Sequence, residues 1–188
     1  MPAIIGQHKL RLAVGWIGGG GVLAYPTEAV YGLGCDPLNP AGVQRVLEAK
    51  GRPARKGLIL IAADFGQLVP FVEPLDPARM ARVLETWPGP VTWLLPARRT
   101  TPPWLTGSRS TLAVRVTAHP VAAALCRAWG GPLVSTSANR TGQSPARTAL
   151  QVRLRLGAQV DFVLNGPCGG RSRPSTIRDG RSGAELRH

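Results

Sequence analysis

The chain is poor in cysteine, aromatic residues, lysine and acid. Its three cysteines, Cys35, Cys126 and Cys168, are an odd number set far apart. With only His8, His119 and His188 beside them, no CxxC or HxxxH spacing arises, which argues against a zinc framework or a disulfide scaffold. No basic stretch leading into an apolar segment opens the chain, and no apolar run approaches the ~18 residues of a membrane span. These absences predict a reduced, cytoplasmic, soluble protein with no membrane partner. Aromatics make up 5% of residues and form no RRM-like pattern. GxGxxG, GxxxxGK[ST] and GxSxG are all missing, so the Rossmann, Walker and hydrolase-elbow readings fail. The Gly18–Gly21 run reads instead as a helix stop and tight turn. His119, placed before Pro120, has no evident Ser or Asp companion.

What the chain does have is arginine. Twenty of its 23 basic residues are Arg, against 10 acids, for a net charge of +13. Residues 1–94 carry nine basic and seven acidic side chains, whereas residues 95–188 carry fourteen and three. Such an excess points to a polyanionic partner: nucleic acid, nucleotide or an anionic membrane. The base composition of a source genome produces the same bias toward Arg, Ala, Gly and Pro. At 44% hydrophobic and 18% charged, the chain is too apolar for a disordered basic tail. Its 188 residues suit one domain, 1–188, able to bury about two-thirds of its unfolded surface.

Strand-like and helix-like periods alternate along the chain. Strands are predicted at 22–25, 58–61, 91–95, 112–116, 132–136, 160–164, 175–178 and 184–187. Helices are predicted at 40–49, 76–87, 119–129 and 148–156, with Asp76 as an N-cap and Pro77 in the first turn. The continuous apolar run Leu58–Ile61 reads as a strand buried on both faces. Interleaving without repeat or linker predicts an α/β fold, a single domain around a mixed sheet. Two polar loops, 99–110 and 165–174, are candidate lids.

Several polar clusters stand just after strands. Pro26-Thr27-Glu28 leads into Tyr31-Gly32-Leu33-Gly34, a Gly-punctuated loop at a strand's carboxyl end, where open α/β sheets bind ligands. Lys50, Arg52, Arg55 and Lys56 place four positive charges within seven residues. A helix C-terminus favours cations, but such crowding is costly unless an anion such as phosphate sits there. Ser135-Thr136-Ser137-Ala138-Asn139 is either an elaborate turn or a holder of phosphate and ribose oxygens. Arg115, inside the apolar strand 112–116, needs an anionic partner, a protein carboxylate or a ligand. With three acids in the second half, a ligand is the expectation.

Six stretches together resemble the YrdC/TsaC family of L-threonylcarbamoyladenylate synthases, in its short single-domain branch. They are Ala24–Pro37, Lys50–Pro53 running into Lys56–Ile61, Trp87–Thr92, Leu112–Val116, Ser135–Asn139 and Pro174–Asp179, in family order. The resemblance implies an α/β fold with a twisted mixed parallel/antiparallel sheet flanked by helices and a basic concave groove. It implies the joining of L-threonine, bicarbonate and ATP into threonylcarbamoyl-AMP and pyrophosphate, for the threonylcarbamoyladenosine modification of tRNA. Proteins resembling TsaD, TsaB and TsaE would carry out the transfer, with tRNA or double-stranded RNA as a further partner.

Carried over by position, the KxR motif is Lys50 and Arg52 and the SxN motif is Ser137 and Asn139, all expected on the ATP phosphates. Lys50 and Arg52 would be the catalytic pair. Thr111 and Arg187 match nucleotide-side positions, and Thr27, Tyr31, Arg115 and Ser175 match positions around threonine. Longer members place a His where Ile61 stands, and Lys56 is the candidate to compensate on the threonine side. The extra C-terminal domain of longer members has no counterpart in this sequence.

The inventory suits adenylyl transfer, which needs positioning and charge neutralisation more than a side-chain nucleophile. Mg²⁺ would ride on the triphosphate, with no protein metal site. Glu28 is the candidate base for the threonine amine. The competing reading is a non-catalytic double-stranded RNA-binding or ribosome-maturation protein using the basic groove.

Overall fold

The computed structural model describes residues 5–187. Nine strands among them form one sheet: β1 (Leu23–Pro26), β2 (Tyr31–Gly34), β3 (Ile59–Ala62), β4 (Val91–Pro96), β5 (Thr111–Val116), β6 (Leu133–Ser137), β7 (Phe162–Val163), β8 (Thr176–Asp179) and β9 (Glu185–Arg187). Their order is β7-β1-β2-β6-β3-β5-β4-β8-β9. The pairs β1/β7, β3/β5 and β4/β8 are parallel and the rest antiparallel, so the sheet is mixed as expected. Six helices accompany it: α1 (Gln7–Gly18), α2 (Pro40–Lys50), α3 (Pro77–Leu84), α4 (Pro103–Thr106), α5 (Pro120–Trp129) and α6 (Ala149–Leu156). No helix among the described residues is long and apolar enough to cross a membrane.

Alternation of side chains along the strands builds two cores, one on each face. Ala24, Leu33, Leu60, Val114 and Val134 enter the larger core. Leu23, Tyr25, Ile61 and Leu133 point the other way and pack with Val121, Leu125 and Ile17 from α5 and α1. The α1/α5 layer covers only part of that second face. Beyond it, Ile59, Ala113, Arg115, Ser135 and Ser137 line an open groove on the same face.

Several local expectations change. Tyr31–Gly34 is strand β2, not a loop. Two glycines disguise it, yet they are what the packing requires: a Cβ on Gly34 would lie 2.2 Å from the Val134 carbonyl oxygen and 2.8 Å from the Tyr25 hydroxyl. Helix α3 keeps its Asp76 cap, which accepts from the Arg79 amide at 3.0 Å, but ends at Leu84 rather than 87. The Thr86 hydroxyl donates back to the Val83 carbonyl at 2.7 Å, and Pro88 disfavours a helical residue before it. Loop 99–110 is tied to its surroundings. It contains α4, its Thr101 hydroxyl donates to Phe71 O at 2.6 Å, and Leu105 O receives the Leu58 amide at 2.8 Å.

Candidate active site

Helix α2 delivers the first cation. Asn39 caps its start by accepting from the Gly42 amide at 2.9 Å, Pro40 sits in its first turn, and Gly51 stops it at φ 58°. Lys50, the last helical residue, is therefore aimed across at the end of β6. Its Nζ donates to the Ser137 carbonyl, to Asn139 O at 3.0 Å, and toward Ser137 Oγ and Asn139 Oδ1, each at 3.3 Å. The KxR and SxN motifs thus meet through their own side chains. The Asn139 amide is fixed in turn by donating to Arg140 O at 2.8 Å and Gln143 O at 2.7 Å. Burial and then the neighbouring Arg52 lower the Lys50 ammonium to about 8. Four oxygen acceptors hold the charged form at neutral pH, and among the described residues no carboxylate pairs with it.

Arg52 folds over the next turn, its Nε and Nη2 donating to Gly57 O at 3.1 and 3.0 Å. That turn needs Gly57 at φ 62°, where a Cβ would meet Thr106 O at 2.8 Å. Lys56, exposed on the same turn, reaches the groove rim. Ile61 does not: it is fully buried beneath α5, so the position taken as replacing a pocket histidine lies in the core.

Thr27 shapes the β1–β2 turn, its hydroxyl donating to Val30 O at 2.7 Å. The Tyr31 hydroxyl donates to Gly166 O at 2.6 Å and accepts from Gly166 N at 3.1 Å. Burial raises its pKa, and no base adjoins it that would ionise it. Ser175 shares a hydrogen bond with Thr92 at 3.0 Å. Arg115 Nη2 stands 3.4 Å from Glu28 Oε2, both residues being over 90% buried. Its anionic partner is thus a protein carboxylate from the first half of the chain, contrary to the expectation of a ligand alone. Glu28 also accepts from Thr117 Oγ1 at 2.7 Å and the Ala118 amide at 3.0 Å. Burial opposes its ionisation, but Arg115, Thr117 and the Ala118 amide outweigh it and lower its pKa. A carboxylate so held is a poor base for an amine, and the structure withdraws that candidate.

Ten of the eleven predicted site residues line one groove of about 340 Å³. The eleventh, Arg187, is paired through its β9 backbone with Ile177 of β8, a residue of the groove lining, and its side chain lies outside the described residues. The groove adds Arg109, Thr141, Arg171 and Arg173, which motif reading passed over. The Gly/Arg-rich composition of 165–174 was the available signal for the last two. That loop is strapped to the β1–β2 turn: Gly169 N donates to Thr27 O, Arg171 N to Glu28 O, and Pro167 O meets His119 Nε2 at 3.1 Å. Burial lowers the His119 pKa, and the imidazole serves this strap rather than a triad.

Comparison with known proteins places the chain in a family. Residues 16–187 match the Sua5/YciO/YrdC family model, described as "Telomere recombination". The chain belongs to that family. It is 59% identical over 179 residues to the threonylcarbamoyl-AMP synthase of Nitrosococcus oceani, covering 95% of this chain and 97% of that protein. It is 57% identical over 180 residues to the protein of the same name from Halorhodospira halophila, covering 95% and 94%. Among solved structures it resembles P. abyssi Sua5 complexed with L-threonine, with a TM-score of 0.88 at 34% identity. The match covers 94% of this chain but 52% of that longer one.

Proposed function

We propose that the protein is an L-threonylcarbamoyladenylate synthase. The observation that carries the reading is the meeting of Lys50 with Ser137 and Asn139 in one groove that Arg52, Arg115, Thr27, Tyr31 and Ser175 also line. Relatives bearing the synthase name at 50–59% identity support it. The threonine amine attacks bicarbonate to give a carbamate and water. A carbamate oxygen then attacks the α-phosphorus of ATP, and pyrophosphate leaves. Lys50, Arg52, Ser137 and Asn139, with Thr111 on the nucleotide side, offset the charge developing on the phosphates. Arg115, Thr27, Tyr31 and Ser175 orient threonine, and Lys56 reaches it from the rim turn beside Arg52.

No group of three or more His, Cys, Asp or Glu that could hold a metal exists among the described residues. A magnesium ion would be held by triphosphate oxygens and water, where it would supply charge neutralisation. Arg109, Arg171 and Arg173, exposed at the groove mouth, suit a polyanion such as tRNA approaching the rim. The product would pass in the cytoplasm to transfer proteins of the TsaD, TsaB and TsaE kind. Pyrophosphate release, with threonine and bicarbonate omitted in turn, tests the reaction. Release is expected only with all three substrates present, and release from ATP alone would refute it.

A further inference from the structure

Glu28 has a place in the groove that the reaction as written does not use. Its Oε1 is pinned by two donors, the Thr117 hydroxyl at 2.7 Å and the Ala118 amide at 3.0 Å. The Thr117 hydroxyl is itself oriented by the His119 amide, which donates to it at 3.1 Å. With Oε1 fixed, Oε2 is turned to Arg115 Nη2 at 3.4 Å and has no hydrogen bond of its own among the described residues. That separation is longer than the ~2.7–2.9 Å of a bidentate Arg–carboxylate fork. Glu28 therefore compensates the charge of Arg115 without consuming the guanidinium's donors. Arg115 Nε is buried and likewise without a hydrogen-bond partner among the described residues. Arg115 lines the groove, and a guanidinium whose charge is paired without a hydrogen bond to Glu28 Oε2 is arranged to receive a second carboxylate there. The pinning groups follow β5 directly, two and three residues beyond Arg115, so one short stretch of chain carries both the clamp and the arginine.

We infer that Glu28 is a positioning residue, aiming Arg115 at the carboxylate of the amino-acid substrate and setting the affinity for it without touching it. This rests on the proposed assignment of Arg115 to that carboxylate.

A double-mutant cycle tests it. Glu28→Gln keeps the size of the side chain and an accepting oxygen for Thr117 and Ala118. Arg115→Lys and the double variant complete the cycle, with the KM values for threonine and ATP read separately in pyrophosphate release. Glu28→Gln is expected to raise the threonine KM about tenfold and to leave the ATP KM within about twofold. In the Arg115→Lys background the same change should add nothing. A full additional effect there, or an equal rise in both KM values, overturns the inference. Thr117→Val, a change outside the groove lining, should raise the threonine KM by a smaller factor, and it decides the matter if Glu28→Gln fails to fold. Should the wild-type chain turn over nothing with threonine, the functional proposal falls by itself. The Arg115 Nε–H resonance then decides positioning: sharp in wild type and exchange-broadened in Glu28→Gln supports it, identical in both overturns it.

Discussion

Two buried cations line the groove, and they are compensated differently. Arg115 is 7% exposed and stands against a carboxylate, whereas Lys50 is 4% exposed and stands among neutral oxygens. Neutral acceptors satisfy the ammonium's hydrogen bonds but leave its charge in place, while Glu28 cancels the charge of Arg115. The Lys50 end thus keeps a net positive field suited to a polyphosphate. The Arg115 end keeps directed donors suited to one planar carboxylate. Net charge alone does not distinguish the two ends.

The largest expected effect is on Arg115→Ala, which strands Glu28 buried without its cation. Breaking such a pair should lower unfolding free energy by about 3–5 kcal/mol in urea denaturation. A loss below about 1 kcal/mol would show that the pair behaves like a surface ion pair and would erase the contrast. Lys50→Met strands no carboxylate, so its stability loss should be smaller than that of Arg115→Ala. Its rate of pyrophosphate release should fall about 10²–10³-fold, as for loss of a donor aimed at developing charge.

The pH dependence sharpens the same contrast. Because Lys50 is lowered from 10.5 to about 8, activity should fall as pH rises through about 8. Lys50→Arg, still charged, should stay flat across that window. The stability contribution runs the other way: burying the ammonium costs most below pH 8, and the cost is relieved as pH climbs toward 10.5. The smallest effect belongs to Tyr31→Phe, which removes its hydroxyl's bonds to Gly166. A loss near 1 kcal/mol and faster proteolysis within 165–174 are expected, with the ATP KM unchanged.

Much of this arrangement was legible where local chemistry carried it. Asp76 and Pro77 announced α3, the alternating strands announced a buried sheet, and the family resemblance named ten site residues that one groove brings together. What escaped was non-local. Glu28 and Arg115 are 87 positions apart, so nothing in either segment named the other as its partner. Strand β2 escaped because Gly32 and Gly34 lower strand propensity, while their value lies in packing against Tyr25 and Val134. Arg171 and Arg173 reach the groove only because the loop carrying them is strapped to the β1–β2 turn through Thr27 and Glu28.

The division of the groove into a phosphate end and a carboxylate end is tested most directly by calorimetric titration of Lys50→Met and Arg115→Lys with ATP and, separately, with threonine. Lys50→Met should weaken ATP binding and leave threonine binding intact, and Arg115→Lys should do the reverse. Two variants that each weaken both ligands to the same degree would contradict the account.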